Sequence, residues 1–508
     1  MALKHYRLKQ YVNELKELGL LSEENLQGSE ETTVTGLEFN SKEVEPGTLF
    51  ICKGANFKKD YLKEAIDRGA IAYVAETPLG VEEEIPYLLV SDIRKAMAPM
   101  ADTFYNAPQE KLKIVGIGGT KGKTTTAYYM KSILDTYLES EGKQPAGLIS
   151  TITTFDGLTE KPSKNTTAEA LILQKHLANA VEAGLEYVVM EVSSQALKYH
   201  RTDGIEFDVG IFLNIDEDHI SPIEHPNFED YIASKAKMFG QTKELLVNNE
   251  TQEADYIFDR AKEADHYHTF SLVEETADYY AYNVETVHLE SDFTVQTAHF
   301  NENYTLSMPG EFNIENALAA IATADLFGIP QQHVKNALSH ISVPGRMSIY
   351  STKDKQIIAV SDYAHNRLSF ERLSESMRKS YPGYQLVSVF GAPGGKALGR
   401  REELGSVGGQ YSDYVYITMD DPEFEDVQEI SREIAKYVEK EETPYKIIED
   451  REEAIRKAFH QANGKTIVLA IGKGHEEAMK INGESVPMKS DDQIMQELIH
   501  EYDQKNIE

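Results

Sequence analysis

KIVGIGGTKGKTTTAYYM, residues 113–130, is the stretch that decides the fold. Lys113 to Ile117 reads as a short buried strand, and Thr124 to Leu138 as a helix with Ala127, Met130, Ile133, Leu134 and Tyr137 on one face. The Gly-rich turn between them aims backbone N–H groups at a helix N-terminus, the ready-made site for a phosphate. Gly116, Gly118, Gly119 and Gly122 permit tight turning and close approach. Lys123 supplies a point charge for the terminal phosphates, and the hydroxyl of Thr124 or Thr125 is placed to reach Mg²⁺. The spacing departs from the standard phosphate loop, because Ile117 stands where its first glycine belongs. A strand–helix turn with nothing bound is the plainer alternative; strand, glycines, GKT and helix together favour a nucleotide.

Outward from this loop, apolar strands alternate with helices: EYVVMEVS (186–193), VGIFLNI (209–215) and ELLVNN (244–249). That alternation predicts a parallel sheet covered by helices. Upstream, TLFICKG (48–54), AIAYVAE (70–76) and YLLVSD (87–92) predict a small α/β domain that ends near FYNAPQEKLK (104–113). Downstream, ISVPGRMSIY (341–350) punctuates the chain before QIIAVSDYAH (356–365), QLVSVFGAPGG (385–395), DYVYITMDD (413–421) and TIVLAIGKGHE (466–476). These strands end in Gly, Asp or His, at the sheet edge where open α/β folds bind ligands. The expected division is 1–108, 109–346 and 347–508, three α/β domains.

At 508 residues the chain is long enough for several cores. With 84 Asp and Glu against 51 Lys and Arg, the formal charge of -33 repels nucleic acid and anionic membranes, so neither is an expected partner. Cys52 is the only cysteine, which excludes an internal disulfide and fits a reducing compartment. The N-terminus is too polar for a signal sequence, and no apolar run approaches a membrane span. The expectation is a soluble, cytoplasmic protein, acting as a monomer.

A phosphate loop alone does not separate a motor, a kinase, a switch or a ligase. Glu191, closing EYVVMEVSS, is a candidate metal carboxylate, though a lone strand-end Glu is more often a capping or solvated group. His219 in NIDEDHIS is a candidate Mg²⁺ ligand or supporting group only in the company of Glu191 and the loop.

GTKGKTTT, NTT (165–167), EVSS (191–194), NIDEDH (214–219), YIASKAKMF (231–239), NIENALAA (313–320), PGRM (344–347), DYAH (362–365) and GKGHE (472–476) occur in one order. In that order the chain resembles the Mur ligase family, and within it the branch that extends UDP-MurNAc-L-Ala-D-Glu by one amino acid. The resemblance covers about residues 36 to 480. It implies an N-terminal UDP-binding domain, a central P-loop ATPase with a mainly parallel sheet, and a C-terminal Rossmann-like domain. It also implies ATP and Mg²⁺, and an acyl phosphate formed on a peptide carboxylate and then attacked by an amine. By resemblance, Lys123 holds the terminal phosphates, Thr124 and Glu191 serve one Mg²⁺, His219 helps place a second, and Lys235 carries a carbamate able to bind Mg²⁺. Gly119, Thr120, Lys121, Gly122 and Thr125 complete the loop. Asn313 or Asn316, with Asp362 and His365, would contact adenine and ribose, and Arg346 the phosphates. The UDP-dipeptide positions are Phe39, Ser41, Ala55, Asn56, Phe57, Asn165, Thr166, Thr167, Ser193 and Arg201. On residues alone, Lys235 would be an ordinary helix lysine and PGRM a linker.

For the incoming amino acid the resemblance implies Asp420, Asp421, Pro422 and Glu423, with Lys396 on the α-carboxylate, Arg400 or Arg401 assisting, and Gly472 and Glu476 completing the pocket. Diaminopimelate-adding members have an Arg where this chain has Glu423. A carboxylate repels the distal carboxylate of diaminopimelate and attracts an ε-ammonium, so lysine is expected before ornithine or diaminopimelate. Lys121, Gln195 and the NRLS that follows DYAH depart from the family's usual residues. A folylpolyglutamate-type ligase and a P-loop switch ATPase are the competing readings.

Overall fold

The computed structural model describes residues 6–54, 57–81, 85–216, 220, 224–287, 290–395 and 399–505. The expected site residues Ala55, Asn56, His219 and Lys396 lie outside the described residues. The chain forms two compact units, one of Met1–Tyr282, Val295–Asn301 and Asn316–Ala337, the other of Asn283–Thr294, Glu302–Glu315 and Leu338–Glu508.

The first unit contains two sheets. The N-terminal one has five strands in the order Leu21–Asn25, Tyr87–Val90, Ala70–Ala75, Thr48–Ile51, Gly36–Glu38, parallel except for the first. Its three central strands are buried at successive positions because both faces are covered. Leu49, Ile51, Ala72, Val74, Leu88 and Val90 enter one core with the helices Leu8–Glu17 and Ile93–Tyr105. Phe50, Tyr73, Ala75, Tyr87 and Leu89 enter another beneath the helix Lys59–Asp67.

The second sheet includes, in order, His266–Ser271, Thr242–Asn248, Phe207–Phe212, Lys113–Gly118, Tyr187–Glu191, Gly147–Ile149, Thr153–Phe155 and Glu160–Pro162, eight of its eleven strands. The first six strands are parallel, as the alternation of strands and helices predicts. The phosphate-loop strand is therefore central, flanked by the strands that end at Glu191 and at Phe212. Its helix is Lys123–Ser140, with Ala127, Met130, Ile133 and Leu134 fully buried and Tyr137 half-buried against the His333 ring.

The second unit carries a six-stranded sheet, ordered Ser348–Ser351, Ile357–Asp362, Thr466–Ile471, Gln385–Phe390, Tyr414–Ile417, Tyr445–Ile447. All neighbours but the first pair are parallel. Thr466–Ile471 enters between two strands that precede it in the chain, which creates a topological switch point at the carboxyl edge. Among the described residues, no helix is long and apolar enough to cross a membrane.

Candidate active site

The phosphate loop is shaped by backbone that only glycine holds without strain. Gly119 has φ +144° and Gly122, at the N-terminus of the helix, φ +86°, and a Cβ on Gly122 would fall on Asn316 Oδ1. The loop is fastened from the neighbouring strand by Asn214. Its Oδ1 accepts from the amides of Thr120 at 3.0 Å and Lys121 at 2.8 Å, and its Nδ2 donates to the Lys121 carbonyl at 3.2 Å. Thr120 Oγ1 lies 3.0 Å from the Tyr231 hydroxyl and accepts from the Asp216 amide at 3.1 Å. Lys123 donates to the carbonyls of Gly119 at 2.8 Å and Thr120 at 3.1 Å, while Lys235, only 3% exposed, donates to the same Gly119 carbonyl at 2.7 Å.

Glu191 ends the strand next to the loop strand, its Cα in register with Ile117. Its buried carboxylate accepts from the Thr151 amide at 2.7 Å and from Thr151 Oγ1 at 3.0 Å. A nucleotide-bound Mg²⁺ keeps most of its ligands as water and phosphate and needs one or two protein groups. The Glu191 carboxylate and the Thr124 hydroxyl at the helix start, with a glycine cradle a side chain would fill, are donors of that kind.

On the far side of Glu191 the N-terminal and central sheets of the first unit meet in one polar network. Thr167 Oγ1 donates to the Glu191 carbonyl at 2.8 Å and accepts from the Ser193 amide at 3.0 Å; its own carbonyl accepts from Arg201 at 3.0 Å. Arg201 pairs with Glu169 at 2.7 Å, and Glu169 pairs with Lys53, whose ammonium stands 4.9 Å from the centre of the Phe39 ring. Thr166 accepts from Thr151 Oγ1 at 3.1 Å. Phe39, Thr166, Thr167, Ser193 and Arg201 thus share one neighbourhood. Asn165 is exposed, Ser41 donates to Glu64 at 2.6 Å, and Phe57 packs edge-on against Tyr61.

In the second unit, Asp362 accepts from the amides of Met347 and Ala364, both at 2.7 Å. Burial raises its pKa, against the pull of Arg346 and those two amides. The Arg346 guanidinium lies 4.6 Å from the centre of the Tyr363 ring, and His365 Nδ1 is 2.9 Å from the Tyr363 carbonyl. Asn313 is committed to the Pro309 carbonyl at 2.8 Å and to Met347 Sδ at 3.1 Å.

At the switch point Asp420 is buried, and burial pushes its pKa up despite Arg451 and Lys473. A Cβ on Gly472 would fall on the Asp420 carboxylate. Burial also works against Asp421, but Lys473 at 2.9 Å and the Lys480 amide at 3.0 Å hold it below the usual carboxylate range. Lys473 pairs with Glu476 as well. Pro422 is buried; Glu423 is half-buried, at φ +54°, with its backbone paired to Lys480 and Asn482 and no cationic partner among the described residues. Arg401 is taken up by Glu425 at 2.7 Å and Glu433 at 2.6 Å.

Asn214, Thr151, Tyr231, Lys53, Glu169 and Arg451 are the site-building residues that sequence reasoning missed. Asn214 sits in the NIDEDH stretch and was findable as a polar group just past a strand beside the loop. Lys53 and Glu169 are 116 residues apart and leave no local signal. Arg451 is buried with Asp491 and donates to the carbonyls of Met419 and Ile471, tying together the two strand ends that present Asp420 and Gly472.

Comparison with known proteins agrees with this geometry. Residues 117–324 match the Mur ligase middle domain, and residues 345–474 the Mur ligase, glutamate ligase domain. The chain is 36% identical over 506 residues to a UDP-N-acetylmuramyl-tripeptide synthetase of Lactobacillus delbrueckii subsp. bulgaricus, covering 96% of this chain and 97% of that one. It is 38% identical over 465 residues to a UDP-N-acetylmuramoyl-L-alanyl-D-glutamate–L-lysine ligase of Streptococcus agalactiae, covering 90% of each. The fold superposes on a solved UDP-N-acetylmuramoyl-L-alanyl-D-glutamate–2,6-diaminopimelate ligase with a TM-score of 0.67 at 24% identity, covering 98% of this chain and 99% of that one. A phosphate loop in the centre of a parallel sheet, a carboxylate on the adjoining strand and these matches along nine-tenths of the sequence lead to one conclusion: the chain belongs to the Mur ligase family.

Proposed function

We propose that the protein is an ATP-dependent acid–amino-acid ligase that adds L-lysine to UDP-MurNAc-L-Ala-D-Glu in peptidoglycan synthesis, in the cytoplasm and as a monomer. The division of labour follows residues 1–108 for the UDP-sugar, 109–346 for ATP and 347–508 for the amino acid. The observation that carries this reading is the placement of Glu191: one side of its strand end adjoins the phosphate loop, the other the network of Thr166, Thr167, Ser193 and Arg201. A nucleotide and a second anionic substrate would meet there.

An amine cannot displace oxide from a carboxylate at neutral pH, so the acid must first become an acyl phosphate, from which phosphate leaves. Lys123 and the first-turn amides of its helix hold the terminal phosphates, and Arg201 with Lys53 the acceptor's anionic groups. Mg²⁺, held by Thr124, Glu191, His219 and a carbamate on Lys235, would lower the repulsion between carboxylate and ATP. Of Asp421 and Glu423, Glu423 faces the cationic end of the amino acid, since Asp421 already has Lys473.

The test is ADP release by the purified chain with ATP, Mg²⁺ and UDP-MurNAc-L-Ala-D-Glu, adding lysine, ornithine or diaminopimelate in turn. Turnover with lysine is expected. Turnover with diaminopimelate alone would reverse the specificity. ADP release that needs neither acceptor nor amino acid would replace the ligase by a switch ATPase.

A further inference from the structure

The helix Phe228–Ala236, which carries Lys235, is held at its start by side chains that the reaction above does not use, buried at Ser194 and His225 and half-buried at Asp230. His225, with no exposed surface, places Nδ1 2.6 Å from Asp230 Oδ2 and Nε2 2.9 Å from Ser194 Oγ. Asp230 also accepts from Lys198 at 2.6 Å. Burial opposes its charge, but Lys198 and His225 hold its carboxyl below the usual range, so it can only accept. Nδ1 therefore donates to Asp230, and Nε2 is hydrogen-bonded to the Ser194 hydroxyl. The order serine, histidine, aspartate is that of a hydrolytic triad. Here Ser194 and His225 are both buried, which suits a structural link rather than a nucleophile.

That link ends on the phosphate loop. The His225 ring packs edge-on against Tyr231 with centroids 5.1 Å apart, and the Tyr231 hydroxyl is 3.0 Å from Thr120 Oγ1. Lys235, one turn further, lies 4.8 Å from the Tyr231 ring centroid and 2.7 Å from the Gly119 carbonyl. Asp230 thus pins the helix to Ser194–Lys198, Tyr231 pins it to the loop, and Ser194 directly follows Ser193.

We propose that Ser194, His225 and Asp230 are positioning residues that set Lys235 against the phosphate loop and link its helix to the acceptor side of the site. The proposal rests on the ligase reading in so far as Lys235 serves the ATP step. Displacing a working group by about 1 Å costs on the order of a hundredfold in rate. His225→Ala and Asp230→Asn should accordingly lower kcat about 10- to 100-fold, with the KM values for ATP and UDP-MurNAc-L-Ala-D-Glu within about threefold of wild type. His225→Asn, which can still donate to Asp230, should recover part of the loss. Ser194→Ala removes one link only and serves if the larger changes impair folding, as judged by thermal melting.

Combining His225→Ala with Lys235→Ala should cost no more than Lys235→Ala alone; multiplied losses would overturn the relay. So would raised KM values at unchanged kcat. A second readout needs no turnover. In the full-length, ¹⁵N-histidine-labelled chain the His225 Nδ1 proton should give a slowly exchanging NMR resonance that Asp230→Asn abolishes. Its absence from the wild type overturns the relay whatever the activity. Its presence in a protein with no acceptor-dependent ADP release upholds the relay and overturns the ligase reading.

Discussion

Lys123 and Lys235 converge on one oxygen, the carbonyl of Gly119, at 2.8 and 2.7 Å. Two ammonium groups on one carbonyl repel, and an anion made from the second of them turns that repulsion into attraction. If the proposed carbamate forms on Lys235, Lys235→Ala should reduce acceptor-dependent ADP release at least about a hundredfold, and added formate or acetate should restore part of it. Rates measured with and without the added carboxylate check this; no loss, or loss without rescue, counts against a carbamate.

Asn214 and Gly122 shape the same loop from two sides. Asn214→Ala removes three hydrogen bonds to loop backbone and should raise the KM for ATP about tenfold or more. Gly122→Ala must hold a positive φ and push its methyl into Asn316, so nucleotide binding, read by calorimetry with ADP, should fall further still.

In the lysine-adding reading proposed above, Glu423 sets the charge at the amino-acid end. Glu423→Arg should lower kcat/KM for lysine by about 10- to 100-fold, as expected for removing one charge-assisted contact and adding a repulsive one. Unchanged lysine kinetics would take Glu423 out of the pocket.

Glu14 offers a stability test remote from the site. Burial, with Asp102 and Glu17 nearby, raises its pKa to about 7 in the fold although Thr103 donates to it at 2.8 Å, and its other oxygen is buried without a partner among the described residues. The folded state therefore favours the protonated acid. That contribution is full below the unfolded pKa near 4.5 and is lost as pH rises through 7. Glu14→Gln should raise stability by on the order of 1–3 kcal/mol at pH 8.5 and by little at pH 4, measured as melting temperature.

The strands and the loop were legible because their signals are local. KIVGIG followed by GKTTT contains its own strand, turn and helix start, and the apolar runs at 70–76, 186–193, 385–395 and 466–476 all became strands. The short hairpin of Ala478–Ile481 and Glu484–Pro487, polar and exposed along its second strand, carries no periodic apolar signal and went unread.

Sequence by itself determined that a glycine turn would stand at the end of a buried parallel strand, since backbone freedom, apolar runs and a lysine at the helix start are properties of neighbouring residues. Only the tertiary structure decided which distant groups answer one another: Asn214 on the loop, Lys53 with Glu169, Ser194 with His225, Arg451 across two strand ends. Such partners are chosen by which strands lie side by side, and a buried charge or hydrogen-bonding group takes whichever complementary group the sheet order delivers to it.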